Sequence, residues 1–310
     1  MQKAIFYILL LLVMVIWGLN VVAIKIVVEA FSPVMITSMR IFTAFLVVMP
    51  ILYLRKDFCK LTKEEGFLIF VAAVTGIFGH HFFLSVGLTK TTASNAGLIL
   101  GLVPLSTSLL AMLLLGDRIT LFKFLGIICG ITGVSFVVLA GDSQIGFISV
   151  GDFYIFLAVI TQAVSFIFIK KATKTVQSRL VTGYMQFIGA LLLFIVSIRL
   201  EPSGFSTLKE GSMTAWIVFL ASAVLATGLG HLIYNKAIHH LGAGETAIFI
   251  NLSPFFALLG SAFFLGENIM ITQVFGFFFI VVGVLLGTGA LEQKYQLHKM
   301  KQYEYAANKK

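Results

Sequence analysis

The chain repeats itself, and this constrains its fold more than any other feature. Residues Thr92–Gly133 and Gly242–Gly283 align without a gap at an offset of 150. Each stretch carries a proline in mid-run (Pro104, Pro254) and closes its apolar segment on a glycine and an acid (Gly116-Asp117, Gly266-Glu267). The following segments space their glycines alike, Gly126 and Gly133 against Gly276 and Gly283. Upstream, the same offset pairs His81 with His231 and Ser85 with Asn235, and an offset of 145 pairs Trp17 with Gln162, Asn20 with Ser165 and Lys25 with Lys170. Such a chain is expected to fold as two copies of one unit.

The units are built from apolar runs. Hydrophobic residues make up 59% of the chain and charged residues 11%, against about 25% charged in ordinary globular domains. A bilayer core of ~30 Å needs about 20 apolar helical residues to cross it. Ten windows qualify: Ala4–Val28, Val34–Leu54, Phe67–Leu88, Ala93–Leu115, Phe122–Ala140, Phe153–Lys170, Leu180–Leu200, Thr214–Asn235, Ala243–Leu265 and Thr272–Leu291. The expected fold is an all-α integral membrane protein of ten transmembrane helices in two five-helix repeats, residues 4–141 and 151–291, with a tail over 292–310. The first window lacks a small-residue cleavage site and reads as a retained span. Five is odd, so the repeats enter the membrane from opposite sides, a build common among secondary transporters.

Orientation follows from Lys and Arg, which concentrate in cytoplasmic loops. With both termini on one side, that side collects 17 of the 22 basic residues, so both termini are expected in the cytoplasm. The net charge of +9 is then a product of topology and implies no nucleic-acid partner. Cys59 and Cys129 fall on different elements and build neither a disulfide framework nor a metal site. No phosphate-binding loop, nucleophile elbow or zinc-protease motif occurs, so no ATP, no cofactor, no catalytic residue and no metal is expected.

Trp17-Gly18-x-Asn20 with Lys25 in the first span, Arg40 early in the second, and the mid-span prolines leading to Gly-Asp and Gly-Glu together resemble the EamA-type branch of the drug/metabolite transporter superfamily, from about Ala4 to Leu291. The resemblance implies an inverted-repeat bundle whose central cavity is lined by spans 1, 3, 4, 6, 8 and 9, with spans 5 and 10 at the side. It also implies ATP-independent export of small metabolites, amino acids or toxic compounds from a plasma membrane, here expected to be bacterial. The second half departs from symmetry: Gln162 stands where the first half has Trp17, and nothing basic answers Arg40.

Pro104 and Pro254 each remove a hydrogen bond in mid-span and free the carbonyl four residues back, on Leu100 and Ile250. They are read as kinks at the depth of a substrate. His81 and His231 are matched ionisable residues within the membrane, where such groups face a wet interior; they are candidate substrate or proton sites. His80 is expected to point about 100° away from His81, off any shared site. Trp17 and Asn20 share one helix face and Gln162 and Ser165 another, and with Tyr234 they are expected on the cavity wall. Asn251, beside Pro254, has no capping role and joins them. Glu245 is a possible charge site, though an acid there also suits a helix N-terminus, as does its counterpart Asn95.

Lys25 and Arg40 are expected to snorkel to the headgroups, and Asp117 and Glu267 to cap helical hairpins on opposite faces. The glycines of spans 5 and 10 read as packing, with a homodimer contact as the protein partner they suggest. The tail, lysines among tyrosines, suits anionic lipid.

The functional expectation is a secondary-active exporter of a small organic metabolite or amino-acid-like compound, working by alternating access at a midplane cavity. An integral-membrane enzyme would need a polar catalytic cluster at one face, which the loops lack. A channel would need a continuous polar stripe. A non-transporting scaffold predicts that alanine at Trp17, Asn20 or Asn251 changes only stability. Within transport, an importer is the alternative.

Overall fold

The structure is a computed structural model and describes residues 2–115, 120–139, 149–234, 237 and 249–288; these are helices joined by short turns, with no strand among them. Eight helical runs are long and apolar enough to cross a membrane, and two shorter apolar helices follow, Ser253–Leu265 and Ile271–Gly287. The ten passes of an all-α membrane protein are thus in place. Glu245, Asp117, Asn235 and the tail 292–310 lie outside the described residues.

Helix α1 (Gln2–Ala30) has 29 residues, about 43 Å at 1.5 Å per residue, longer than the ~30 Å hydrocarbon core. Next come α2 (Pro33–Arg55), α3 (Lys63–Ala72), a π-helical segment over Ala73–Gly79, α4 (His80–Leu88), α5 (Ala93–Leu100), α6 (Val103–Leu115) and α7 (Leu121–Leu139). The second half runs through α8 (Val150–Ala172), α9 (Ser178–Leu200), the short α10 (Gly204–Glu210) and α11 (Met213–Ala221). A second π-helical segment over Ser222–Gly230, α12 (Ser253–Leu265) and α13 (Ile271–Gly287) complete it.

The starts of α3, α5, α8 and α11 are set by hydroxyl caps, which accept orphan N–H groups of the first turn. Thr92 accepts from Asn95 N at the head of α5, and Ser212 from Ala215 N at the head of α11. Thr62 and Glu65 form a reciprocal capping box on α3. At the end of α12 the chain reverses through Gly266 at φ +67°, a conformation that glycine adopts without cost.

The prolines do not kink continuous helices, as the sequence had suggested. Each lies in the first turn of a new helix, Pro104 in α6 and Pro254 in α12, after a turn at Gly101-Leu102 or Asn251-Leu252. Across the first break Gly101 N donates to Leu98 O and Leu102 N to Ile99 O, both at 3.0 Å, and across the second Leu252 N donates to Phe249 O at 2.9 Å. At the start of a helix the missing proline N–H is an orphan anyway, so opening the chain there costs less than bending it around the ring. Spans 4 and 9 are therefore discontinuous at corresponding positions.

Apolar side chains of α1, α4, α5, α8, α12 and α13 form the largest buried cluster, including Ile24, Leu84, Leu98, Val159, Leu258 and Ile280. Others point outward without cover: Phe263 is 83% exposed and Ile8 68%, as suits lipid and not water. At one edge α7 packs on α13 backbone to backbone. A methyl group added at Gly283 would lie 2.7 Å from Gly130 N, and one added at Gly133 2.8 Å from Gly276 O. These glycines face each other within one chain, so a homodimer through spans 5 or 10 would have to use their other faces.

Candidate functional site

The two π-helical segments lie 150 residues apart in the chain and run directly into the histidines, Gly79 into His80-His81 and Gly230 into His231. A π-segment widens a helix locally and is found mostly at functional sites. Between the repeats lies a cavity of about 270 Å³, near the lower end of small-molecule sites. On its wall are Trp17, Asn20, His80, His81, Gln162, His231, Ser253 and Pro254, with Gly101 at the first helix break. It reaches Ile169 and Thr182, within about a turn of the ends of α8 and α9 that carry Lys170, Lys171 and Arg179. We refer to that side as the basic end.

Of the residues singled out by sequence, Trp17, Asn20, His81, Gln162, His231 and Pro254 are brought to one wall. Trp17 Nε1 donates to Ala226 O at 3.1 Å and its ring packs between His231 and Tyr234, with centroids 5.1 and 5.0 Å away. Asn20 Oδ1 accepts from Ser222 Oγ at 2.5 Å. The other expected wall residues stand back from it. Ser165 is fully buried and donates to Ala72 O at 2.9 Å, fastening α8 to α3 where the π-segment begins. Pro104 starts α6, Asn251 is buried at the second break, and Tyr234 backs Trp17.

His80 departs from expectation too. It lines the cavity beside His81, their ring centroids 4.8 Å apart, and its Nδ1–H donates to Ala158 O at 3.0 Å. The cavity wraps round more than 100° of this span, so adjacent imidazoles both reach it. Span 7 also contributes, through Thr182, Met185 and Gln186.

Arg40 is the main residue the sequence misplaced. It does not snorkel to the surface: it is 1% exposed, with Nη1 donating to Thr227 Oγ1 at 2.9 Å and Nη2 against His81 Nδ1 at 3.2 Å. Spans 3 and 8 pack against α2, and their acceptors are nearer than any headgroup. A guanidinium has donors alone, so His81 Nδ1 accepts and the ring proton is on Nε2. His231 holds the opposite tautomer, its Nδ1–H donating to Thr227 O at 3.0 Å. The duplicated histidines are thus joined through Arg40 and Thr227. His81 cannot take a proton on Nδ1 while Arg40 is in contact. Glu245, the third expected charge site, is outside the described residues. Among the described residues no cluster of three His, Cys, Asp or Glu could hold a metal.

The end opposite the basic loops is closed by hydrogen bonds between the halves. Glu267 accepts from Ala93 N at 2.8 Å and Ser94 N at 2.9 Å, so it caps α5 of the other half instead of its own hairpin. Glu201 does the same for α2 through Val34 N and Met35 N, at 2.9 and 2.8 Å. Asn95 bridges Gln273 (2.8 Å) and Asp152 (3.5 Å), and Asp152 also accepts from Thr91. Within the first half Lys25 turns inward too, donating to Leu88 O and Thr91 O at 2.7 and 3.0 Å and pairing with Glu29 at 2.9 Å.

The sequence profile described as the EamA-like transporter family matches residues 4–139 and 149–288. The chain is 30% identical over 290 residues to the uncharacterized transporter YyaM of Bacillus subtilis, covering 92% of this chain and 94% of that one. It is 27% identical to an uncharacterized transporter of Archaeoglobus fulgidus, over 89% and 83% of the two chains. With the chloroplastic WAT1-related protein At3g02690 of Arabidopsis thaliana it shares 22% identity over 87% of this chain and 66% of that one. A solved crystal structure superposes with a TM-score of 0.64 at 18% identity, over 93% of this chain and 96% of that one, a likeness of fold alone.

Proposed function

Because the chain belongs to the EamA-like transporter family, we propose that it is a secondary carrier exporting a small organic metabolite or amino-acid-like compound by alternating access. The observation that carries this reading is a cavity at the seam of the two halves, closed at one end by hydrogen bonds between them and reaching almost to the basic end at the other. With the basic end in the cytoplasm of a plasma membrane, as the distribution of Lys and Arg supports, the state described is inward-facing. An exporter loads its substrate in that state. The network of Glu267, Asn95, Asp152 and Gln273 is then the closed outer gate, and opening must break its bonds between the halves while closing the Ile169–Thr182 side.

The test is a comparison of culture medium from deletion and overexpression strains, followed by counterflow of the enriched compound in liposomes holding purified protein. Accumulation outside the overexpressing cells, with counterflow, is the expected result. Movement inward alone would replace the exporter by an importer, and no movement under any imposed gradient would end the carrier reading.

A further inference from the structure

A positive charge lies buried behind the cavity wall, and among the described residues no acid pairs with it. The ion pairs of the described residues are Lys25–Glu29 and Arg179–Asp57, and Arg40 is in neither. Its Nε has no hydrogen-bond partner. An unpaired buried cation is costly, and Thr227 and His81 offer it neutral acceptors. The described residues of the cavity wall include no Asp or Glu.

Two further features carry the same sign. Arg40 fixes His81 with its proton on Nε2, so this wall residue keeps a hydrogen-bond donor free of the Arg40 contact. From another element, α12 begins at Ser253 on the cavity wall. The N-terminus of such a half-helix carries partial positive charge, and discontinuous transporter helices direct it at anionic groups. A donor and a helix N-terminus thus stand on the cavity wall with a cation one contact behind it, each from a different span.

We propose that the cavity takes an organic carboxylate, its charged group held by the His81 Nε2–H with the Arg40 guanidinium one contact behind. His81 is the contact residue and Arg40 the positioning residue: it sets the tautomer and supplies the charge. The carboxylate supplies the counter-charge that no described acid gives Arg40, so occupancy and the fixed charge stabilise each other. A neutral amide of the same shape gains no such term, and a cation is repelled. This names the substrate class for the carrier proposed above and rests on that reading for the cavity's being a substrate site.

Thermal unfolding of the purified full-length protein with phenylacetate and, separately, phenylacetamide tests it, since the two differ chiefly in charge and the wall offers Trp17 and Phe166 to a ring. The expected result is a Tm raised by phenylacetate and not by the amide. Arg40→Gln should weaken apparent phenylacetate affinity about tenfold or more, ~1.4 kcal/mol; Arg40→Lys should retain part of it, and His81→Gln, which keeps a donor, should fall between. Equal stabilisation by acid and amide, none by either, or undiminished acid binding by Arg40→Gln overturns the proposal. Should Arg40→Gln not fold, the wild-type comparison and His81→Gln decide it. Counterflow separates this from the carrier reading. Selective acid binding with no transport of any solute keeps the anion site and removes the carrier, while transport with equal binding of acid and amide does the reverse.

Discussion

Arg40 and Thr227 meet at 2.9 Å from opposite halves of the chain, and through that contact His81 and His231 belong to one hydrogen-bonded line. Thr227 is its centre. Its hydroxyl accepts from the guanidinium and donates to Ser222 O at 3.2 Å inside the π-segment, while its carbonyl accepts from His231. Thr227→Val keeps the shape and leaves Arg40 Nη1 unpaired, at an expected cost of about 1–3 kcal/mol. Thr227→Ser should restore most of it. Thermal unfolding of the two variants checks this, and a valine variant as stable as wild type would mean that Arg40 finds another acceptor.

The seal at the end remote from the basic loops depends on carboxylates standing in for helix caps. Glu267→Gln keeps one acceptor oxygen and loses the charge at the N-terminus of α5, where such caps contribute ~0.5–2 kcal/mol. With Cys59 and Cys129 replaced by serine, a cysteine at Ile24 should react several-fold faster with an impermeant maleimide from outside once Glu267→Gln is added. Unchanged labelling would show that Glu267 caps a helix without holding a gate.

Close glycine contacts predict a steep contrast between sites. Gly283→Ala would press a methyl group against Gly130 N at 2.7 Å, and overpacking of this kind costs about 1–3 kcal/mol or more. Gly66, in α3, has nothing within 4 Å of an added Cβ, and alanine there should stabilise the helix by up to about 1 kcal/mol. Yield of monodisperse protein and Tm should therefore move in opposite directions in the two variants.

At the basic end Arg179 donates twice to Asp57, at 2.8 and 3.0 Å. The hydrogen bond from Arg179 holds the Asp57 carboxyl below its ordinary value. A depressed folded-state value contributes stability that is present above the unfolded pKa and lost as pH falls through the folded one. Surface pairs contribute ~0–1 kcal/mol, so Asp57→Asn should lower Tm slightly at neutral pH and by progressively less below about pH 4. A difference that persists undiminished in acid would argue that Asp57 acts through packing.

The spans were legible because bilayer thickness dictates their length: Val34–Leu54 was expected where α2 covers Pro33–Arg55, and Phe153–Lys170 where α8 covers Val150–Ala172. The helix breaks were half legible. Proline marks the place, but whether a helix bends or restarts depends on the turn before it. The π-segments left no trace that the apolar pattern could show, since Ala73–Gly79 has the residues of any membrane helix. Arg40 was misread although a signal existed: Ile36, Arg40, Ala44, Val48 and Leu52 recur every four residues and are all buried, while Phe42, Leu46 and Met49 face out. Gln186, buried on the wall with Oε1 unpaired, went unnoticed for want of a counterpart in the other half.

The glycine seam between α7 and α13 has a mechanical consequence. Where backbone rests on backbone there are no rotamers to repack, so a shift along this edge would have to move whole helices against each other. For the carrier proposed above, the interrupted spans and the widened turns before the histidines are the places that could yield instead. A side chain added at Gly126, Gly133 or Gly283 of that seam would therefore push apart two whole helices, whereas Trp17 and His81 on the cavity wall border open space.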